Sequence, residues 1–404
     1  MKYILVIGDG MADRPVEQLG GLTPLQKATT PHVDALAQTG RVGLVRTVPK
    51  GVPPGSDTAI LSIFGYDPRT YYTGRSPLEA AGSGVKMRAG DVSYRCNLCA
   101  ISEKPGEFLA QDMLSHSGGA ISGEDAMVLM QDLLKDARFA ALCTRLGLGL
   151  TINPSYRHVA LMHDATAVET TPPHDILGQA LISYLPDGAP DLIEVMQLSY
   201  DVLKHHPLNA QRRKQGLAPA NCLWFWGGGG AVELSSFVDK YRHDGGVVTA
   251  VPLVWGIGNL AGLTPIVVEG ATGEIDTNYH GKVEAALDVL KTHPFVALHV
   301  EAPDECGHAG DAPEKVRAIE LIDSEVIAPL IEGLRQNGEP FRLLFLSDHP
   351  TPIITRTHDD APVPYLIYDS RESEKSGLNY DEFSAQNGPM IEEGHTLMQI
   401  LFEQ

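Results

Sequence analysis

The chain has 404 residues, 43% hydrophobic and 20% charged, the proportions of an ordinary globular protein and not of a disordered or fibrous one. Its formal charge of -20, from 31 Lys and Arg against 51 Asp and Glu, speaks against nucleic acid as a partner, because an extended phosphate backbone is bound by clustered cations. A small anion stays within reach if a few Arg and Lys converge locally and bound cations add positive charge.

In chain order, residues 3 to 8 predict a buried strand, and the apolar run ahead of Gly8 is too short for a secretory signal. Pro31 to Gly40 predicts a short helix with Pro at its start and Gly at its end. Val42, Leu44 and Val45 precede a Pro/Gly-rich turn, Lys50-Gly51-Val52-Pro53-Pro54-Gly55, and Ser56 then stands at a predicted helix start before the apolar run Ala59 to Phe64. Residues 76 to 249 are more mixed, with Gly- and Pro-rich joints around Gly82 to Gly90 and Gly227 to Gly230, and predict an inserted cap. The four successive glycines could cradle an anion, but a hinge or tight turn is the commoner use. Val283 to Lys291 predicts a helix, Phe295 to Val300 a strand, Pro313 to Leu334 a long amphipathic helix and Arg342 to Ser347 a further strand. Strands separated by helices imply a largely parallel sheet covered on both faces, with ligands beyond the strands' C-terminal ends.

No stretch of about 18 uncharged apolar residues occurs, so no membrane span is expected. The cysteines Cys96, Cys99, Cys143, Cys222 and Cys306 are too sparse for a secreted disulfide framework and read as reduced thiols of a cytoplasmic protein. Cys96 and Cys99 form a C-x-x-C, yet no second pair or His doublet completes a zinc site.

Carboxylates and imidazoles follow three predicted strands: Asp9; Asp304 and His308; Asp348 and His349, with His358 in the next loop. A single Asp after a strand is often only a turn or capping residue. In a parallel sheet, however, these groups would converge on one edge, and mixed O and N donors suit zinc or manganese. Ser56 is open to two readings, an ordinary helix N-cap or a nucleophile at a helix N-terminus that favours phosphate. A weak serine alcohol would need activation, which a cation bound by Asp9, Asp348 and His349 would supply.

Five segments carry a resemblance: Ile7-Gly8-Asp9-Gly10, Pro53-Pro54-Gly55-Ser56-Asp57-Thr58-Ala59, residues 72–82 from Tyr72-Thr73-Gly74-Arg75 to Gly82, Asp276-Thr277-Asn278-Tyr279-His280-Gly281-Lys282, and residues 299–308 from His299 to His308. In this order they resemble the archaeal-type, cofactor-independent phosphoglycerate mutases of the alkaline phosphatase superfamily. The resemblance implies an α/β fold with an alkaline phosphatase-like core at 1–75 and 250–404 and an inserted α+β cap at 76–249. It further implies two divalent ions, Mn²⁺ first and Zn²⁺, Co²⁺ or Mg²⁺ as alternatives, and a phosphoserine intermediate on Ser56. Asp9, Ser56, Asp348 and His349 would hold one ion, and Asp304, His308 and His358 the other. Arg75 and Lys282 would bind a small phosphorylated hydroxy acid, although either could be a solvated surface cation. Candidate cap segments are Ser115 to Gly119, Ser155 to His158, Pro172 to Asp175 and Gln211 to Arg213, from which His116 is taken as acid/base and Arg157 and Arg213 as substrate contacts. The implied activity is interconversion of 2- and 3-phosphoglycerate. The alternatives are a phosphotransferase or phosphatase on the same scaffold and a non-catalytic binding protein, and the oligomeric state is left open.

Overall fold

The computed structural model describes residues 1–372 and 375–403, and the chain separates into two compact units, Met1–Tyr72 with Glu233–Gln404, and Thr73–Val232. The first unit is built on an eight-stranded sheet. Lys2–Gly8 lies inside it, parallel to Phe295–Val300 on one side and Phe341–Leu346 on the other. Gly245–Val248 and Thr264–Ile266 extend the parallel run beyond Phe295–Val300. Val363–Asp369 is antiparallel to Phe341–Leu346 and pairs in turn with Arg41–Val45, beside which Met390–Ile391 closes the sheet.

Both faces of this sheet are covered, which is why its central strands are apolar throughout instead of alternating. Ile4, Val6, Val296 and Leu298 pack into a cluster with Val33 and Leu36 of the helix Pro31–Thr39 and with Val283 and Ala286 of the helix Tyr279–Thr292. On the other face Tyr3 and Phe295 meet the ring of Phe402, at 4.9 and 5.6 Å between centroids. The expected α/β core is therefore present.

The long helix expected at 313–334 is interrupted. Ala312–Leu321 and Ala328–Asn337 are α-helical, and Ile322–Ile327 between them is a π turn. Asp323 in that turn is buried and accepts the Val33 and His32 backbone N–H groups, capping the helix Pro31–Thr39 where the Thr30 side chain does not.

The second unit has a five-stranded antiparallel sheet in which Val92–Ile101 pairs with Met113–Ser115, Arg157–Met162 and Cys222–Gly230, and Leu148–Thr151 borders Arg157–Met162. The helices Gly123–Lys135, Ala137–Leu146 and Pro190–Leu203 bury Leu129, Phe139 and Val195 against it. Two sequence expectations change here. Residues 233–249, placed above in the insertion, include Gly245–Val248, a core strand whose two glycines hide it from any apolar pattern. The run Gly227 to Gly230 is the end of a strand and not a hinge. A Cβ at Gly228 would meet the Tyr94 ring at 2.3 Å, and one at Gly229 the Thr73 carbonyl oxygen at 2.7 Å, so close packing excludes side chains there. The five cysteines are unpaired. No helix among the described residues is long and apolar enough to cross a membrane.

Candidate active site

Asp9 follows the strand Lys2–Gly8, Asp304 lies in the helix Ala302–Ala309 after Phe295–Val300, and Asp348-His349 follow Phe341–Leu346. Parallel neighbours deliver these groups to one sheet edge, the general ligand position of such sheets. Gly10 makes the approach possible: it has φ +62°, and a Cβ there would lie 2.6 Å from Asp304 Oδ1. Its N–H donates to Asp348 Oδ1 at 3.0 Å.

Ser56 joins them from the helix Ser56–Ile63. Gly55 is the N-cap and no side chain caps this helix, so the capping reading of Ser56 falls. The buried Ser56 Oγ instead lies 3.1 Å from His349 Nε2. The same nitrogen is 3.3 Å from Asp348 Oδ2 and 3.6 Å from Asp9 Oδ1. Those two carboxylate oxygens are buried and have no hydrogen-bond donor. A buried anionic oxygen without a donor is costly, and two of them facing one imidazole nitrogen and one hydroxyl form a donor set that could hold a cation.

A second group adjoins. His308 Nε2 is 3.1 Å from Asp304 Oδ2 and 3.1 Å from His358 Nε2, and His358 Nε2 is 3.7 Å from Asp304 Oδ1. Ligand atoms of Asp304, His308 and His358 lie within 4.8 Å of one another, as do those of Asp9, Asp304 and His349. Asp304 thus stands between both groups, a closeness that sequence separation could not reveal.

The supporting bonds point the ligand atoms inward. His308 Nδ1 donates to the Arg356 carbonyl at 3.0 Å, which turns Nε2 toward Asp304 and His358. His349 Nδ1 donates to Thr351 Oγ1 at 3.2 Å, and the Thr351 hydroxyl donates to Asp304 Oδ1. Burial, then the charges of Asp348, Asp304 and Glu301, raise the Asp9 carboxyl well above the usual range. Burial works the same way on Asp304, but hydrogen bonds from His308 and His358 outweigh it and hold that carboxyl well below. His308 is raised to about 9, chiefly by its hydrogen bond to Asp304, while burial lowers His349. Lys282, on the helix Tyr279–Thr292, is 1% exposed, donates to the His299 carbonyl at 3.3 Å, and is lowered to about 8 by burial.

In the second unit Glu79 is gripped by two guanidiniums. Arg75 Nε donates to its Oε1 at 2.8 Å and Arg95 Nε lies 2.8 Å from its Oε2. Burial would raise Glu79, yet Arg95, Arg75 and Arg157 prevail and lower it. Three cations around one carboxylate leave positive charge in excess, suited to an anion. The Arg95 guanidinium carbon sits 3.9 Å over the Trp226 ring, His174 packs on Trp226 at 5.2 Å, and His116 lies 6.0 Å from His174 and 5.8 Å from Tyr156. Burial, reinforced by nearby cations, lowers both His116 and His174.

Of the residues taken from the sequence, Asp9, Ser56, Asp304, His308, Asp348, His349 and His358 come together. Arg75, Arg157 and His116 lie in the cluster around Glu79, Tyr156 and Trp226 of the second unit. Arg213 is engaged elsewhere in its unit, donating to both carboxylate oxygens of Glu103 at 2.8 and 2.6 Å. Sequence reasoning missed Thr351, Glu79, Arg95 and Trp226. Their one signal was a charged residue, Arg95, in an otherwise buried strand.

The class is an α/β protein with a serine hydroxyl set beside two adjoining groups of Asp and His side chains that could hold cations, at the sheet's C-terminal edge. Residues 37–209 match the family described as 2,3-bisphosphoglycerate-independent phosphoglycerate mutase. A Geobacter sulfurreducens protein named "Probable 2,3-bisphosphoglycerate-independent phosphoglycerate mutase" is 47% identical, with 100% of both chains covered. A Methanosarcina mazei protein named as the same mutase is 46% identical over 96% of each chain. The solved structure of PH0037 from Pyrococcus horikoshii superposes with a TM-score of 0.82 at 30% identity, covering 99% of this chain and 96% of that one. The chain belongs to the 2,3-bisphosphoglycerate-independent phosphoglycerate mutases.

Proposed function

We propose that the protein interconverts 3-phosphoglycerate and 2-phosphoglycerate through a phosphoserine on Ser56, in the cytoplasmic reactions of glycolysis and gluconeogenesis. One observation carries this: a helix-start serine relieved of capping lies 3.1 Å from His349 Nε2, beside the donor-less oxygens of Asp9 and Asp348. Asp9, Ser56, Asp348 and His349 would hold one divalent ion and Asp304, His308 and His358 the other. Mixed N/O donors suit Mn²⁺, with Zn²⁺, Co²⁺ or Mg²⁺ able to substitute. Such ions would supply a lowered pKa for the serine hydroxyl and charge neutralisation on the transferring group.

The Ser56 hydroxyl gives up its proton as its oxygen attacks phosphorus in line, and the bond to the substrate's 3-oxygen breaks so that this oxygen leaves as a hydroxyl; in the second transfer the 2-hydroxyl loses its proton, its oxygen takes the phosphoryl group, and Ser56 regains its hydroxyl proton. Lys282 offers a buried ammonium to the phosphoryl oxygens, stronger there than in water because little solvent screens it. Within the second unit, Arg75, Arg95 and Arg157 would bind a substrate carboxylate, and neutral His116 would serve as the acid/base group for a substrate hydroxyl. A mutase must retain glycerate between the two transfers, and several cations on one carboxylate serve that retention.

The protein incubated with Mn²⁺ and 3-phosphoglycerate, without 2,3-bisphosphoglycerate, is expected to yield 2-phosphoglycerate. Release of free phosphate as the main product would sink the mutase reading in favour of a phosphatase. Ser56→Ala should lose turnover by at least about 10⁴-fold, the scale for removal of an essential nucleophile.

A further inference from the structure

His299 is the single polar side chain of the apolar strand Phe295–Val300, and it is 1% exposed. The strand's register places it beside Ile7 and one residue short of the strand's last position. Its Nε2 lies 2.9 Å from Asp9 Oδ2, and its Nδ1 lies 3.1 Å from Thr249 Oγ1. Thr249 is fully buried, and its hydroxyl oxygen accepts the Val251 N–H at 3.0 Å.

These bonds have one consistent direction. With a cation bound, Asp9 is a carboxylate whose oxygen accepts, so Nε2 carries the imidazole proton and donates it to Asp9. Nδ1 of a neutral ring must then accept, and the Thr249 hydroxyl, its oxygen already turned toward the Val251 N–H, donates to it. The chain of donors runs Val251 N–H, Thr249 O–H and His299 Nε2–H, and ends on Asp9 Oδ2 as the acceptor. The ring is buried with the Lys282 ammonium nearby, surroundings that favour the neutral imidazole. Lys282 also donates to the His299 carbonyl, which ties the strand to the helix Tyr279–Thr292.

For Asp9 the consequence is geometric. With Oδ2 saturated by His299, the carboxylate plane is fixed and Oδ1 is directed at the group containing His349 Nε2, 3.6 Å away, with no donor of its own. We propose that Thr249 and His299 form a positioning relay that presents Asp9 Oδ1 as a metal ligand, so that these two residues set the affinity of the cation site shared by Asp9, Asp348 and His349. His299 is not itself a ligand, because its only inward nitrogen carries the proton. The inference rests on the proposed cation site. Outer-shell partners of this kind characteristically change metal affinity about 10- to 100-fold on removal.

The test is a Mn²⁺ titration of chelator-stripped full-length protein, following the electron paramagnetic resonance of free Mn²⁺, alongside urea unfolding of each stripped variant. His299→Leu is expected to weaken one Mn²⁺ binding step about 10- to 100-fold and to leave the step that depends on Asp304, His308 and His358 within about threefold. His299→Gln, whose amide nitrogen can replace the Nε2 donor, should stay within about threefold of wild type in both steps. Thr249→Val removes only the upstream donor and should weaken the same step by at least about threefold. It keeps the inference testable if His299→Leu does not fold. Unchanged Mn²⁺ affinity in folded His299→Leu, or equal loss in the Gln and Leu variants, overturns the relay while the cation site stands. No Mn²⁺ binding by the wild-type protein overturns both.

Discussion

Lys282→Met isolates the effect of burying an ammonium beside the proposed phosphate position. Burial lowers this lysine from 10.5 to about 8, and Glu301 offsets only part of that cost. In the unfolded chain it would titrate near 10.5, so between about 8 and 10.5 the unfolded state binds more protons than the folded state, and stability rises with pH. The whole interval corresponds to about 3 kcal/mol, and about 2 kcal/mol of it falls between pH 7 and pH 9.5. Methionine keeps most of the apolar stem and has no proton to lose. Urea unfolding of chelator-stripped wild-type and Lys282→Met protein, at both pH values, cancels every other titration in the difference. The variant should be the more stable at pH 7, and wild type should gain about 2 kcal/mol on it by pH 9.5. A difference that stays constant across this range would refute the claim that Lys282 is held charged at a cost. In the same experiment, 3-phosphoglycerate should stabilise wild type more than the variant at pH 7, because a bound anion compensates the buried cation.

Removing one of the converging carboxylates should separate stability from activity. Asp9→Asn is expected to stabilise the metal-free protein by about 1–2 kcal/mol at pH 8, where the folded state otherwise holds Asp9 against Asp348 and Asp304, and to abolish mutase turnover; thermal melts and a product assay check both. Lys315, fully buried, donates to Asp13 Oδ2 at 2.8 Å and to the Thr351 carbonyl at 2.9 Å, bracing the loop that carries His349. Lys315→Met should cost about 3–5 kcal/mol in urea unfolding, and the double variant with Asp13→Asn distinctly less, because the first leaves a buried carboxylate uncompensated. Arg95→Met should raise KM for 3-phosphoglycerate at least about tenfold in steady-state assays, the scale of one charge-assisted hydrogen bond. Equal KM values would remove Arg95 from the substrate site.

The ligand types were legible in the sequence because cation chemistry restricts them to a few side chains, and strand-end placement in a parallel sheet is itself readable from apolar runs such as Leu343 to Leu346. Ser56 shows the limit. Its neighbours Gly55 and Asp57 fit a helix cap as well as a nucleophile, and only the position of His349, 293 residues away in sequence, decided between them. Arg213 shows the converse, a cation that local sequence could not distinguish from Arg157 and that tertiary packing paired with Glu103. Gly245–Val248 escaped notice because a strand of glycine and valine has its hydrogen-bonding partners, and not its own composition, to thank for being a strand.

The sequence by itself determined which atoms are available: oxygens of Asp9, Asp304 and Asp348, imidazoles of His308, His349 and His358, one hydroxyl on a helix start, and a parallel α/β frame to carry them. Tertiary structure alone decided how they face one another. It placed Asp304 between two groups, turned Asp9 by way of His299 and Thr249, and surrounded Glu79 with arginines. The physical reason is range. Chain-local preferences act over a few residues, whereas the donor-less oxygens, the neutral His299 and the buried Lys282 arise from contacts between segments that only the folded sheet brings within hydrogen-bond distance.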